Sequence, residues 1–343
     1  MQTILIIRLS AMGDVAMSVP VVRALSVQYP NAKILYLTRK SFNPFFRDIQ
    51  NLILINPDLN REHKGIRGLF KLYKQINEKY QPEFILDIHD VLRSKILRFF
   101  FKLSGKKVFV IDKGRKEKKA LTRRENKILK PLKHSTLRYA EVAGKAGFAL
   151  KLSKNHIFKA ELKGKLSDIL SKDKKNIGIA PFAMHIQKQY PIEKTKQVID
   201  LLIKNGYRVL IFGGGKKEQE FADDLSKNSH DIVSVIGKFS LDDEIKLISN
   251  LDLMISMDSS NMHIAALTGI HIVSVWGGTH PYAGFTPFVA DEKSHIIQRD
   301  DLACRPCSVF GSKACYKERL ECFDIEAVNI VEQCKRILEN SKN

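Results

Sequence analysis

The sequence predicts an α/β protein built from two domains, each with a parallel sheet and flanking helices. Short apolar segments alternate with longer periodic ones through both halves, which is typical of strand–helix–strand units. The 343 residues are too many for one ordinary open-sheet domain and suit two. Each half also contains a polar strand-to-helix corner, at 7–15 and at 257–267, and open sheets bind ligands at such corners. We therefore expect two parallel sheets that face a central cleft.

In the first half, apolar runs of strand length alternate with runs of helical period. Thr3–Arg8 suits a buried parallel strand, and Val15–Gln28 carries apolar residues at helical spacing. The other predicted strands are Ala32–Leu37, Leu52–Ile55, Phe84–Ile88 and Val108–Ile111, and the other helices are Gly65–Tyr80, Arg93–Leu103 and Tyr139–Ala149.

The second half repeats the alternation after a crossover at 151–171. Asn176–Ala180 is its first predicted strand, and Ser240 caps the predicted helix Leu241–Ser249. The other strands are Arg208–Phe212, Ile232–Ile236, Leu253–Ser256 and His271–Trp276, and the other helices are Glu193–Lys204, Glu218–Lys227 and Ile325–Glu339. The predicted domains are 1–160 and 161–324. A closing helix follows at 325–343, for which a crossing back to the first domain is one option.

The chain is strongly basic. It has 57 lysine and arginine residues against 37 acidic ones, a net charge of +20, which predicts anionic partners such as nucleic acid, acidic lipid or a phosphorylated glycan. Ten of the basic residues lie in 113–133, which predicts an exposed basic segment or mobile loop. The start lacks a basic n-region, and no apolar stretch is long enough to span a bilayer. We expect a cytoplasmic protein, either free or peripheral at a membrane face.

Two carboxylates at the corners are candidates for chemistry. Asp14, beside Gly13 at the opening of a helix, is either a carboxylate favoured by the helix dipole or a general base. Asp258 comes directly before Ser259 and Ser260. These serines either cap the next helix or, with its first N–H groups, bind an anion such as a diphosphate.

Three further features bear on phosphate binding. His263, one turn into the second corner helix, either faces the ligand or is a buried structural histidine. Lys188 is either a solvated lysine or a cation that counters diphosphate charge. The run Gly213-Gly214-Gly215 follows a strand but matches neither a dinucleotide fingerprint nor a Walker A motif, so a tight turn and a close approach to a nucleotide both stay open.

All five cysteines lie beyond residue 300, which does not resemble a secreted disulfide framework. Cys304, Cys307, Cys315 and Cys322 have a spacing that partly suits zinc, but the second pair lacks a C-x2-C knuckle. The prediction is no metal, with reduced loop cysteines, and this four-thiol set is the weaker alternative.

Segments spread over nearly the whole chain resemble one known family. They are the opening signature Arg8–Val15 with Pro20–Leu25, the strand and L-R-S segment Phe84–Ser94, Lys188–Pro191 in place of K-x-W-P, Asp258–Leu267 in place of D-[ST]-G-x-x-H-x-x-A-A, and the cysteine tail at 304–307 and 315–316. At these residues the chain resembles the ADP-heptose:lipopolysaccharide heptosyltransferases, glycosyltransferase family 9. The combination is far more specific than any one motif.

The resemblance implies a GT-B fold of two Rossmann-like domains, with the donor in the C-terminal domain and the acceptor against the N-terminal one. It implies an inverting, metal-independent transfer of heptose from ADP-heptose to the lipopolysaccharide inner core, without a cofactor. Asp14 matches the base, Lys188 a lysine near the donor phosphates, and Asp258 an acid that holds sugar hydroxyls. We assign donor binding to Asp258, Ser259, Ser260, His263, Gly213, Gly214 and Met257, and acceptor binding to Ser10, Met12, Gly13, His89, Arg93, Arg123 and Arg124.

Two departures from the family pattern leave the donor sugar open. Ser260 stands where many members have glycine, and Ala183-Met184 replace a hydroxyl pair. The alternatives are a family member with another nucleotide sugar, a nucleotide-sugar epimerase, and a basic nucleic-acid-binding protein that only the charge supports. The partners expected are a nucleotide sugar, an anionic lipopolysaccharide-core acceptor and the cytoplasmic face of the inner membrane, with no nucleic acid.

Overall fold

A computed structural model describes residues 2–340, and it contains two parallel sheets in one chain. Residues 1 and 341–343 lie outside the described range, and with them the outermost ends of the predicted first domain and closing helix. No helix within residues 2–340 is both long enough and apolar enough to cross a bilayer.

The first sheet has five parallel strands. In chain order they are β1 (Thr3–Ile7), β2 (Lys33–Leu37), β3 (Leu52–Ile55), β4 (Phe84–Asp87) and β5 (Lys107–Val110). Their order across the sheet is β3-β2-β1-β4-β5, so the strand order reverses beside β1. Every residue of β1 is buried, as expected at the centre of a parallel sheet. The carboxyl end of β1 is therefore the position at which such a sheet binds ligands.

Five helices accompany the first sheet and the segment that follows it. They are α1 (Met12–Gln28), α2 (Gly65–Tyr80), α3 (Leu92–Leu103), α4 (Arg115–Thr122) and α5 (Ser135–Lys145). Helix α2 has the predicted bounds, 65–80. Its buried residues recur at helical spacing, and the left-handed backbone conformation of Gln81 ends it.

The second sheet has six parallel strands. They are β6 (Asn176–Ala180), β7 (Arg208–Ile211), β8 (Ile232–Ser234), β9 (Leu253–Met257), β10 (His271–Trp276) and β11 (Ser294–Gln298). Their order is β11-β10-β9-β6-β7-β8, so the strand order reverses between β6 and β9. Strand β11 was not predicted from the sequence, because this edge strand is only half-buried and lacks the apolar run of the others.

The helices of the second half are α6 (Ile192–Lys204), α7 (Lys216–Ser226), α8 (Leu241–Ile248), α9 (Ser260–Thr268) and α10 (Ala327–Asn340). Helix α10 packs on α6 and β10, and its buried side chains join the core of the second sheet. A crossing of the closing helix back to the first domain stays a prediction.

The contacts divide the chain into two compact units. The first contains the residues up to 114 together with 133–153, and the second contains 115–132 and the residues from 154 onward. The chain therefore enters the second unit, returns to the first and enters the second again. The single boundary predicted at residue 160 does not describe this excursion.

The basic segment 113–133 is not a loop throughout, so that part of the expectation is wrong. It includes helix α4, whose Leu121 is fully buried. The ammonium of Lys118 lies 4.5 Å from the ring centroid of Phe285. The Lys127 ammonium donates to the carbonyl oxygens of residues 303, 304 and 306 at 3.1, 2.8 and 3.1 Å, and burial lowers its pKa. Rings and carbonyls of the second unit replace water around these cations.

Candidate active site

Asp14 lies in the first turn of α1, just beyond the carboxyl end of β1. Its Oδ2 is 2.6 Å from Nη2 of Arg8 and accepts the Ala11 N–H at 3.3 Å. The Tyr139 hydroxyl is 3.5 Å from Oδ1. The side chain remains 31% exposed. The protein therefore orients this carboxylate while leaving it accessible to a ligand, as a general base requires.

Arg8 is a further candidate for the site, and no role was predicted for it from the sequence. Its side chain is buried, its Nη1 donates to the carbonyl of Ile88 at 2.7 Å, and its guanidinium lies 5.5 Å from the ring centroid of Tyr139. A buried guanidinium requires partners, and Asp14 is the charged one. The signal in the sequence was an arginine directly after four consecutive apolar residues, 4–7, of a buried strand.

Replacement of Arg8 by glutamine is expected to lower the free energy of unfolding by about 1–3 kcal/mol and kcat by about 10-fold, because the Asp14 carboxylate loses its orienting partner. Urea unfolding and steady-state kinetics measure the two effects. Arg23→Gln is the matched control, since Arg23 pairs with Asp48 at 2.8 Å on a more exposed surface and should cost less than about 1 kcal/mol. Equal effects of the two variants on kcat would contradict a role for Arg8 at the site.

His89 lies beside the same corner and is buried. Its Nδ1 accepts the N–H of Leu9 at 3.4 Å, and its backbone N–H donates to Asp87 at 3.0 Å. Burial, and then the charge of Arg8, lower the pKa of His89 to about 3. The imidazole is therefore neutral at pH 7, so it can shape the site but cannot supply positive charge to a phosphorylated acceptor.

The other predicted acceptor residues fall in different places. Ser10 lies in the turn between β1 and α1, and Met12 and Gly13 are the first two residues of α1, directly before Asp14. Arg93 is exposed in the first turn of α3. Arg123 and Arg124 belong to the second unit, where the guanidinium of Arg124 lies 4.7 Å from the ring centroid of Tyr316. Their assignment to acceptor binding stays a prediction.

The second corner brings Asp258 and Lys188 together. Asp258 directly follows β9, and Lys188 ends a short 3-10 helix in the connection after β6. The Lys188 ammonium is 2.9 Å from Oδ2 of Asp258, and the two side chains are 17% and 4% exposed. Since β6 and β9 flank the reversal of strand order, this ion pair occupies the ligand-binding position of the second sheet. Lys188 is not an ordinary solvated surface lysine.

The start of α9 is arranged differently from a simple capped helix. Ser259 is the N-cap residue, but its side chain does not accept a helix N–H, and its hydroxyl lies 3.3 Å from that of Ser256. Helix α9 begins at Ser260, and His263 is buried within it. Met257 is buried and its sulfur accepts the N–H of Tyr190 at 3.4 Å. Met257 therefore supports the corner from within the core.

The glycines after β7 contact the carboxylate of Glu218. The N–H of Gly214 donates to Oε2 of Glu218 at 2.7 Å, and a Cβ on Gly213 would lie 2.6 Å from the same oxygen. Burial raises the pKa of Glu218. In this conformation the loop binds its own helix, so donor binding at Gly213 and Gly214 stays a prediction.

The aliphatic part of the Lys188 side chain packs closely against Gly311, a glycine for which no role was predicted. Gly311 has a φ of +75°, and a Cβ there would lie 2.7 Å from Cγ of Lys188 and 3.1 Å from its Cδ. A side chain at 311 would displace the lysine from Asp258. The role could not be deduced from sequence, because the two residues are far apart in the chain.

Gly311→Ala is expected to weaken donor binding about 10-fold, because the added methyl group moves the Lys188 ammonium. Gly206→Ala is the matched control: Gly206 lies in the same unit with a φ of +79° and no atom within 4 Å of an added Cβ. Both variants should lose about 1–2 kcal/mol of stability from left-handed backbone strain. Calorimetric titration with the donor separates them, and equal donor affinities would show that Gly311 does not position Lys188.

The four tail cysteines line one small surface pocket, together with Arg305 and Tyr316. Within the part of the chain that the structure describes, no group of three or more His, Cys, Asp or Glu side chains is arranged to hold a metal ion. Burial raises the pKa of Cys307, and it raises that of Cys322 to about 12, which favours thiols over the thiolates that bind metals. The residues do not fit the zinc alternative.

Arg305, between the first two tail cysteines, has a structural role in the cysteine tail. It is buried, and it donates to the carbonyls of Gly277 at 2.5 Å and of Thr279 at 3.0 Å. These bonds tie the tail to the loop after β10. Cys307 N–H adds a bond to the Gly278 carbonyl at 3.1 Å in the same loop.

Comparisons with known proteins show the family of this chain. The model of glycosyltransferase family 9 (heptosyltransferase) matches residues 69–316, well over half of the chain. The chain belongs to glycosyltransferase family 9. This family-9 chain is 25% identical over 296 residues to the lipopolysaccharide core heptosyltransferase OpsX of Haemophilus influenzae. The aligned region covers 82% of this chain and 80% of that protein. The resemblance found in the sequence motifs is thus confirmed, and the protein is a glycosyltransferase.

Solved structures support the fold of this family-9 enzyme. A glycosyl transferase family 9 structure from Veillonella parvula superposes with a TM-score of 0.77 at 19% identity, covering 99% of this chain and 98% of that one. The ADP-heptose lipopolysaccharide heptosyltransferase II of Escherichia coli has a TM-score of 0.73 at 20% identity, with both chains fully covered. The predicted GT-B class of two parallel-sheet α/β domains is confirmed.

Proposed function

We propose that this family-9 enzyme transfers a heptosyl group from ADP-heptose to the inner core of a lipopolysaccharide, by a single displacement with inversion. The observation that carries the proposal is the Lys188–Asp258 ion pair at the start of α9. The substrate class follows the relatives' names, since OpsX is a lipopolysaccharide core heptosyltransferase and the E. coli protein is an ADP-heptose heptosyltransferase.

The donor side of the reaction draws on positive charge at the second corner. A departing nucleoside diphosphate accumulates negative charge, which a cation and a helix N-terminus both stabilise. Lys188 supplies the cation, and the first N–H groups of α9 supply the helix terminus. When the ammonium turns to the diphosphate, Asp258 is released to accept hydrogen bonds from sugar hydroxyls. The proposed step needs no metal ion or cofactor.

The acceptor side draws on Asp14. Its carboxylate removes the proton of the acceptor hydroxyl as the hydroxyl oxygen forms a bond to the anomeric carbon. The bond from that carbon to the diphosphate oxygen breaks, ADP leaves with the electron pair, and the proton ends on Asp14. Arg8 and Tyr139 orient the carboxylate for this transfer. Attack opposite the leaving group inverts the anomeric configuration.

The acceptor is proposed to be anionic, either Kdo-lipid A or a heptosylated core, at the cytoplasmic face of the inner membrane. The net charge of +20 supports an anionic partner. Nucleic acid is not proposed as a partner, because only the charge favours it.

A second candidate is a transferase of this family that uses another nucleotide sugar. Ser260 at the start of α9 and the pair Ala183-Met184 favour it, since they replace family residues near the donor. The side chain of Met184 is 91% exposed and is therefore open to contact with a ligand.

A panel of nucleotide sugars distinguishes the two candidates. Saturation with the true donor at about 100 times its Kd should stabilise the protein by about 2.7 kcal/mol in thermal unfolding. We expect ADP-heptose to give the largest shift, and ADP release should then require a lipopolysaccharide-core acceptor. A larger shift with another nucleotide sugar would favour the second candidate, and no shift with any donor would contradict both.

A further inference from the structure

Helices α2 and α3 of the first unit share an exposed apolar surface. Five large apolar side chains on them are between 41% and 74% exposed: Ile66, Phe70, Leu92, Phe99 and Leu103. They recur at intervals of four and seven residues, so each set lies along one face of its helix. We call these five residues the α2–α3 surface. Scattered exposed apolar residues are ordinary, but a cluster on two packed helices indicates an interaction site.

Aromatic contacts join the two helices into one continuous surface. The rings of Phe70 and Phe100 have centroids 5.1 Å apart, and those of Phe99 and Phe100 are 6.0 Å apart. The Lys74 ammonium lies 5.1 Å from the centroid of Phe70. The apolar cluster is thus held in place, and cations lie directly beside it.

The two helices are mainly basic, although Lys71 pairs with Glu62, and Lys95 and Arg98 pair with Asp90. Helices α2 and α3 together carry eight lysine and arginine residues and a single acidic residue, Glu78. Basic residues beside apolar ones are the combination by which proteins rest on anionic bilayers, where the cations contact headgroups and the apolar side chains enter the interface.

We propose that the α2–α3 surface docks this protein on an anionic phospholipid bilayer. The alternative occupant, a second copy of the chain, would bring two equally basic surfaces together, and like charges disfavour that contact. The negative charge of an anionic bilayer instead complements the exposed cations of these helices, among them Arg67, Lys74 and Lys102. This inference deepens the proposed function, which places the acceptor at a membrane face, but it is tested separately because vesicle binding can be measured without donor, acceptor or transfer.

Vesicle sedimentation tests the proposal with the full-length protein. We expect binding to vesicles of phosphatidylethanolamine and phosphatidylglycerol, and little binding to phosphatidylcholine alone. Binding should fall in about 0.5 M salt, because screening weakens the contribution of exposed charges. The double variant Phe99→Ser/Leu103→Ser should bind about 10-fold more weakly, and Arg67→Glu/Lys102→Glu should lose binding to a similar extent.

Matched controls come from exposed residues elsewhere. Val27→Ser/Met184→Ser removes two apolar side chains that are 72% and 91% exposed, and Lys216→Glu/Lys227→Glu reverses two charges that are 89% and 74% exposed. The controls should bind vesicles as the wild type does. Unchanged thermal unfolding verifies that each variant is folded.

Two results would overturn the proposal. One is that the Phe99→Ser/Leu103→Ser and Arg67→Glu/Lys102→Glu variants are folded and bind vesicles as well as the control variants do. The other is a wild-type protein that does not bind anionic vesicles. This result would overturn the proposal whether or not light scattering shows that the α2–α3 variants alter self-association. Because neither result depends on sugar transfer, either would leave the proposed heptosyl transfer untouched.

Discussion

Replacing Asp14 with asparagine is expected to lower kcat about 100-fold or more, while donor affinity stays close to that of the wild type. Asparagine keeps the shape of the side chain but cannot accept a proton from the acceptor hydroxyl, and general-base catalysis contributes about 10²–10⁴-fold. The donor is proposed to bind in the second unit, so its Kd should not change. Steady-state kinetics and calorimetric titration with the donor measure the two quantities.

Asp48→Asn is the matched control for this prediction. Asp48 and Asp14 lie in the same unit, and each pairs with an arginine, at 2.8 and 2.6 Å. Their side chains are 34% and 31% exposed. Loss of an ordinary exposed ion pair should leave kcat within about 2-fold of the wild type. An Asp14→Asn enzyme as active as Asp48→Asn would remove Asp14 from the mechanism.

Replacing Lys188 with methionine is expected to weaken donor binding about 10-fold and to lower kcat about 100-fold, because the departing diphosphate loses its cation. The same change leaves the Asp258 carboxylate buried without its charged partner, which should cost about 3 kcal/mol of stability. Donor titration, kinetics and urea unfolding follow the three effects.

A double variant separates stability from function. Lys188→Met/Asp258→Asn removes the uncompensated buried charge, so it should regain much of the lost stability while activity stays low. Lys175→Met is the control, since Lys175 pairs with Asp252 at 2.7 Å in the same unit on a more exposed surface. If the double variant regained activity together with stability, Lys188 would be a structural residue rather than a donor-binding one.

The central strands were predictable because a strand buried on both faces needs a continuous apolar run. Thr3–Ile7 and Leu253–Met257 are mostly apolar and fully buried, and each leads to a corner with an acid: Asp258 directly follows its strand, and Asp14 lies in the first turn of the next helix. The amino-acid pattern alone therefore locates Asp14 and Asp258. The edge strand Ser294–Gln298 has no such run. Its strand conformation depends on parallel pairing with β10, which its own sequence does not indicate.

The parts that sequence could not predict depend on partners distant along the chain. The excursion 115–132 looks solvated by composition, but Phe285 contacts its Lys118, and the carbonyls of 303, 304 and 306 accept from its Lys127. Arg8 and Gly311 act through Asp14 and Lys188, and their roles are visible only once the contacts are known. Periodicity and motifs carry no information on such contacts.

The anomeric configuration of the transferred sugar tests the account most directly. The purified enzyme is incubated with ADP-heptose and a lipopolysaccharide-core acceptor, and the product is analysed by NMR at the new glycosidic linkage. The account predicts one heptosyl group per ADP released, with the configuration inverted relative to the donor. Retention of configuration, or no transfer from ADP-heptose to any core acceptor, would contradict direct displacement with Asp14 as the base.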